Sequence, residues 1–156
     1  MPFSSKIRMI PKAARRNANG SPEPVGFSPT AKKRVNASNL SASATDIETL
    51  FDQLPEPIDM DPDLANRMMY WSDRGDPPRG NTISRAPMDP NKGPQQILVG
   101  GLKEGIGMAL DLKDKRMFYT DLGGNVYGAN MDGTDVRVLL SGQGALTGIT
   151  WVDIKN

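Results

Sequence analysis

The stretch LPEPIDMDPDLANRMMYWSD at residues 54–73 returns as LKEGIGMALDLKDKRMFYTD at residues 102–121, without gaps and at a shift of 48 residues. Leu54, Glu56, Ile58, Met60, Asp63, Leu64, Met69 and Asp73 meet identical residues in the second copy. Tyr70-Trp71 meets Phe118-Tyr119, and Ser72 meets Thr120. The segments that follow repeat too: ISRAPMD (83–89) matches VYGANMD (126–132), and VNASNL (35–40) is a weaker earlier copy. After each comes a short apolar stretch, IETLF (47–51), QILVGG (96–101) and VRVLL (136–140), and LTGITWVD (146–153) begins the unit again. A period in the forties, with several strand-sized runs per unit, is the pattern of stacked blades of antiparallel sheet.

Each unit reads as four strands: IDMD or IGMALD, then RMMYWSD or KRMFYTD, then TISRAPM or NVYGANM, then QQILV or VRVLL. Turn residues separate them, Asp132-Gly133, Gly123-Gly124 and Pro90-Asn91-Lys92-Gly93 among them, where glycine and asparagine tolerate the backbone angles of tight turns. No apolar pattern of helical period survives these turns. The expected fold class is therefore all-β, a partial β-propeller of four-stranded antiparallel blades.

At these residues the chain resembles the YWTD-repeat β-propellers of low-density lipoprotein receptor type and their soluble bacterial and fungal relatives. YWSD (70–73) and FYTD (118–121) stand where that family has Tyr-Trp-Thr-Asp. ISRAPMD and VYGANMDG match its third strand, and GIGMALD (105–111) its first. The resemblance covers residues 35–154 and implies structural roles for Tyr70, Trp71, Asp73, Phe118, Tyr119, Asp121, Asp132 and Gly133. It also implies six blades, whereas this stretch holds two complete blades with a partial one at each end. The expectation is thus a C-terminal piece of a longer propeller, with self-association through exposed blade edges as an alternative.

The chain has 156 residues, 16 glycines and 13 prolines, and a net charge of +1. That charge gives no case for nucleic acid or an anionic membrane as partner. It is unevenly spread: Lys6, Arg8, Lys12, Arg15, Arg16, Lys32, Lys33 and Arg34 oppose only Glu23 within residues 1–34. This first stretch reads as a basic, low-complexity, disordered tail. It lacks the apolar run of a signal peptide, and Pro2 and Pro11 interrupt the amphipathic helix of a mitochondrial leader, so the expected compartment is the cytoplasm, with mitochondrial import the lesser alternative. Cysteine and histidine are both absent, which excludes disulfides, thiolate or imidazole metal ligands and a Ser-His-Asp triad.

Several motifs invite sharper readings. Arg74-Gly75-Asp76 looks like an adhesion triplet but reads better as an exposed polar turn. The glycines of LVGGLKEGIGMAL (98–110) do not have dinucleotide-binding spacing and read as a connection between blades. DMDPD (59–63) begins like a calcium loop yet lacks its glycine and closing glutamate; Asp63 and Asp111 read as turn-forming acids. The paired aromatics read as packing between blades. Asp73 and Asp121, repeated in both blades, read as hydrogen-bonding ties rather than catalysts.

What distinguishes one blade is its loop. From Asp73 to Ile83 is ten residues, and from Asp121 to Val126 only five. Insertions in repeat arrays collect at one face, where contacts are made. Arg74, Asp76, Arg79 and Arg85 are the candidate binding residues, for a protein or a small anionic ligand; no catalytic residue, metal site or cofactor is assigned. The functional expectation is a non-catalytic binding or scaffold module. The alternative is part of a propeller enzyme of lactonase or strictosidine-synthase type, implied by the resemblance, with a central calcium near Asp59, Asp61, Asn130 and Asn39.

Overall fold

The computed structural model describes residues 6–8, 33–37 and 48–154. Its strands run β1 (Lys6–Arg8), β2 (Lys33–Ala37), β3 (Glu48–Leu54), β4 (Pro57–Asp63), β5 (Met68–Asp73), β6 (Thr82–Pro87), β7 (Gln96–Val99), β8 (Gly105–Asp111), β9 (Arg116–Asp121), β10 (Val126–Asn130), β11 (Arg137–Leu140) and β12 (Thr150–Val152). β4 to β7 form one antiparallel four-stranded blade in sequence order, and β8 to β11 form the next. β2 pairs with β3, and β1 with β12, as two-stranded sheets. Within the stretch expected to be a basic tail, residues 6–8, 33 and 34 are strand; the rest of that expectation, and Asn39, lie outside the described residues.

The repeat in sequence is a repeat in backbone. Arg67 and Lys115, 48 residues apart, both take the left-handed conformation (φ 52° and 53°) that closes the first hairpin of each blade. The preceding acids fix those turns: Asp63 Oδ1 accepts the N–H of Asn66 at 3.1 Å, and Asp111 Oδ1 those of Lys113 and Asp114, each at 3.1 Å. Such Asx geometry replaces backbone partners that the turn leaves without any.

Alternation along β5 divides its side chains between two neighbours. Met69 and Trp71 pack with Leu54 and Ala86 against Leu50, Phe51 and Met88, on the β3 side. Tyr70 points the other way, into a larger core with Ile83, Leu102, Met108, Leu110, Met117, Tyr119, Ala129 and Met131, which joins the two blades. Trp71 and Tyr119, at the same position of successive blades, are both fully buried. The aromatic pair of the motif therefore serves two interfaces, one residue for each side of the sheet.

Stacking four-stranded antiparallel sheets face to face, with the first strands of successive blades adjacent, makes a propeller. β8 lies beside β4, and carboxylates join them: Asp59 Oδ2 accepts the N–H of Met108 at 3.0 Å, and Asp61 Oδ2 that of Leu110 at 2.8 Å. An innermost strand has a free edge, and these acids supply the acceptors its N–H groups would otherwise lack.

Candidate functional site

The last two residues of each motif bind the blade to its surroundings. In both blades the pairing of the first two strands is irregular at its start. There the N–H of Asp59 donates to Ser72 Oγ at 3.2 Å, and that of Gly107 to Thr120 Oγ1 at 3.1 Å. Ser72 Oγ in turn donates to the carbonyl of Ile106 in the next blade at 2.5 Å. The hydroxyl is thus required by the irregularity, a role the sequence left unassigned although Ser72 aligns with Thr120.

The aspartate that follows reaches the connection entering its blade. Asp73 Oδ1 accepts the N–H groups of Glu56 and Gly75, both at 2.9 Å. Asp121 is more fully held: Oδ1 accepts the Asn125 N–H at 3.0 Å, while Oδ2 accepts the Tyr127 hydroxyl at 2.9 Å and the Lys103 N–H at 3.3 Å. Burial acts to raise the pKa of both, but these donors outweigh it for Asp121, which lies below the ordinary carboxylate value, whereas Asp73 lies above it. Asp73 Oδ2 is buried without a hydrogen-bond partner among the described residues. Tyr127, beside Asp121, is pushed up to about 12 by burial and then by that carboxylate.

The inserted loop, residues 74–81, folds back on the connection beneath it. The Arg74 N–H donates to the Glu56 carbonyl at 2.9 Å and its guanidinium to Glu56 Oε1 at 2.6 Å, a bond that raises the arginine's pKa. The Gly80 N–H donates to the Asp76 carbonyl at 2.9 Å. A Cβ on Gly75 would collide with Pro55, and one on Gly80 with the Gly75 carbonyl, so both glycines are needed for the loop to close this tightly. The loop roofs an open polar cleft of about 510 Å³ lined by Pro55, Glu56, Arg74, Gly75, Asp76, Asn81 and Glu104.

The structure brings two of the four predicted binding residues together. Arg74 and Asp76 line the cleft. Arg79 lies along the outer side, donating to the Gln53 carbonyl at 3.4 Å and to Gln95 Oε1 at 3.0 Å. Arg85 faces the opposite end of the blades, where its guanidinium donates to the Met131 carbonyl at 3.2 Å and to Gln96 Oε1 at 2.9 Å. There it lines a separate cleft of about 650 Å³ between the blades, with Tyr70, Leu112, Lys115 and Asp132. Asp132 closes the neighbouring turn through Thr134, at 2.9 Å to the N–H and 2.6 Å to the hydroxyl, and Gly133 supplies the positive φ of 88°. Glu56 and Glu104, which the sequence reading did not nominate, stand in the first cleft; their identity in the repeat alignment was the available signal.

Asp59 and Asp61 are engaged by backbone N–H groups, and Asn130 Oδ1 accepts from Arg116 at 2.7 Å. No group of three or more acids able to hold a metal occurs among the described residues. Nor, among them, is any helix long and apolar enough to cross a membrane.

These features define a blade-stacked propeller with an inserted loop over a polar cleft at one end. No protein-family model matches the chain. Among curated proteins it is 38% identical over 138 residues to low-density lipoprotein receptor-related protein 1 of Pyricularia oryzae, covering 81% of this chain and 45% of that protein. It is 30% identical over 132 residues to the 3-hydroxyacyl-CoA dehydrogenase-like protein LAM1 of Cochliobolus heterostrophus, covering 77% of this chain and 28% of that one. It is also 35% identical over 83 residues to mouse Nidogen-2, covering 53% of this chain and 6% of that protein. A solved nidogen/laminin complex contains a chain of the same fold, with TM-score 0.57 at 24% identity, covering 69% of this chain and 44% of that one. The chain belongs to the YWTD-repeat β-propeller family. It spans less than half the length of these relatives.

Proposed function

We propose that the chain contributes blades to a non-catalytic, protein-binding propeller, and that the contact surface is the end carrying residues 74–81. The observation that carries this reading is the insertion. Two blades of one design differ at one end, where four residues separate Asp121 from Val126 in the second blade and nine separate Asp73 from Ile83 in the first, most of them forming a tethered loop over a polar cleft. Three acids and one arginine line that cleft, and the arginine is already paired with Glu56. The surface therefore suits a protein offering neutral or basic polar groups better than a small anion. The solved nidogen/laminin complex shows that a relative of this fold forms a protein complex.

The test compares three baits in one capture experiment: the intact chain, a variant shortened by the five inserted residues, and Arg85→Ala at the opposite end. A partner held by the intact chain and Arg85→Ala, and lost by the shortened loop, supports the assignment. Equal capture by all three refutes it. The calcium-enzyme alternative needs Asp59 and Asp61 available, and both are committed to β8. Its test is a thermal melt in millimolar calcium, where an upward shift that grows with concentration would restore it.

A further inference from the structure

The cleft of about 650 Å³ between the two complete blades, at the end opposite the inserted loop, carries polar groups that the repeat does not require. Tyr70 of β5 and Arg85 of β6 are a cross-strand pair, and the matching pair in the second blade is Phe118 and Gly128. There Phe118 stacks on Trp151 of β12 with ring centroids 5.0 Å apart, and a Cβ on Gly128 would lie 3.1 Å from Leu139 Cδ1. The second blade thus makes the same sheet with a plain aromatic ring and a glycine. The phenol hydroxyl and the guanidinium are additions of the first blade. Tyr70 is 3% exposed and lines the cleft. Its hydroxyl has no hydrogen-bond partner among the described residues and, unlike that of Tyr119, is not closed off inside the core. A buried tyrosine ordinarily finds a partner for this group, so the cleft contains an unspent donor and acceptor.

We infer that this cleft binds a small zwitterion with an apolar body, of the kind a free aromatic or aliphatic amino acid presents. The inference is independent of the loop-end reading, because the two clefts share no lining residue. The first blade supplies the donors. Arg85 spends Nε on Gln96 Oε1 and Nη1 on the Met131 carbonyl, which fixes its guanidinium at the cleft wall and leaves Nη2 without a partner among the described residues. With the Tyr70 hydroxyl beside it, Nη2 suits one carboxylate through charge-assisted hydrogen bonds. The acids left unspent belong to the second blade. Both Asp63 oxygens are taken by Asn66, at 3.1 and 2.7 Å. Asp132 commits only Oδ1, to Thr134, and the Asp114 carboxylate has no partner among the described residues. Asp114 and Asp132 Oδ2 therefore face a ligand with acceptors suited to an ammonium group, and they disfavour a phosphate or any ligand of purely negative charge. Met68 and Met131 supply the apolar surface between the two walls. A cleft of this volume, with an apolar lining and a few polar groups of fixed direction, has the dimensions of a small-molecule site.

The test titrates the full chain, labelled at its methionine methyl groups, with three probes: L-phenylalanine, 3-phenylpropionate, which lacks the ammonium, and 2-phenylethylamine, which lacks the carboxylate. Phenylalanine should shift the Met68 and Met131 methyl resonances saturably, with a Kd of roughly millimolar or tighter. Each of the other probes should bind about tenfold more weakly, because one charged hydrogen-bonding group is lost. Tyr70→Phe installs the residue that the sister blade already carries, and should weaken phenylalanine by about tenfold while leaving the urea melt cooperative. If that variant does not fold, Asp114→Asn, on an exposed turn of the opposite wall, takes its place; it should weaken phenylalanine and leave 3-phenylpropionate unchanged or improved. Absence of saturable shifts with phenylalanine overturns the inference. Equal affinity for phenylalanine and 3-phenylpropionate overturns the role of the acids, and equal affinity for phenylalanine and 2-phenylethylamine overturns that of Tyr70 and Arg85. Either result refutes a zwitterion site, and a folded variant that binds phenylalanine as the native chain does refutes the placement in this cleft.

Discussion

Asp73 and Asp121 close the same motif in sister blades, yet they depart from the ordinary carboxylate pKa in opposite directions. The motif delivers each acid to the same point on its strand, and the loop after the strand decides what meets it. In the second blade, four residues bring Asn125 and Tyr127 onto the carboxylate. In the first, the longer loop leads to Thr82 and Ser84 at the corresponding strand positions, which lie 3.3 Å from each other rather than on Asp73. Blade architecture is thus common property, and the chemistry of the blade end is set by loop length.

The largest effect with which to probe this comparison is in the core. Trp71 and Tyr119 are fully buried at equivalent positions, so Trp71→Ala and Tyr119→Ala should each cost about 3–5 kcal/mol. Neighbouring repeats share an interface, so either change should lower one common transition in a urea melt. Two separated transitions after Trp71→Ala would show that the blades fold independently.

A smaller effect separates the two interfaces flanking β8. On one side Asp61 accepts the Leu110 N–H, while its repeat counterpart is Ala109, which offers no acceptor to β12. Asp61→Ala should cost about 1–3 kcal/mol by leaving a buried N–H without a partner. Asp61→Asn keeps an acceptor and should recover most of that loss. The same chemical-denaturation measurement on both variants checks it, and equal losses would show that charge rather than hydrogen bonding matters.

Most of the architecture was legible because it is written twice. Agreement between residues 54–73 and 102–121 marked the first two strands of each blade and the Asp63 and Asp111 turns, whereas the division of the aromatic pair between the two sides of its sheet emerged only from the structure. The loop end was legible only as a difference in length. A one-copy segment has no sister against which to read its partners, so Arg74, Arg79 and Arg85 looked alike. Their tertiary partners separate them: Glu56, Gln53 and Met131 come from 18, 26 and 46 residues away. Asp59 and Asp61 were similarly opaque, since their partners lie 49 residues along, on the next blade.

The smallest predicted effect is the most direct test of the contrast between the two aspartates. Relative to the ordinary value of 3.8, Asp73 is raised by burial, so its contribution to stability is present below that pH and is lost as pH rises through its folded value. Asp121 is lowered, so its contribution is present above 3.8 and is lost as pH falls through its folded value. Asp121→Asn places an amide among donors and should cost about 1 kcal/mol near neutrality. Asp73→Asn keeps an acceptor for Glu56 and Gly75 and removes a buried charge, so it should stay within about 0.5 kcal/mol of the native chain. Measured by urea unfolding across the acidic range, the deficit of Asp121→Asn should widen as pH rises, while Asp73→Asn should gain on the native chain over the same interval. Slopes of the same sign would mean that the motif, not the loop that follows it, sets the environment of both acids.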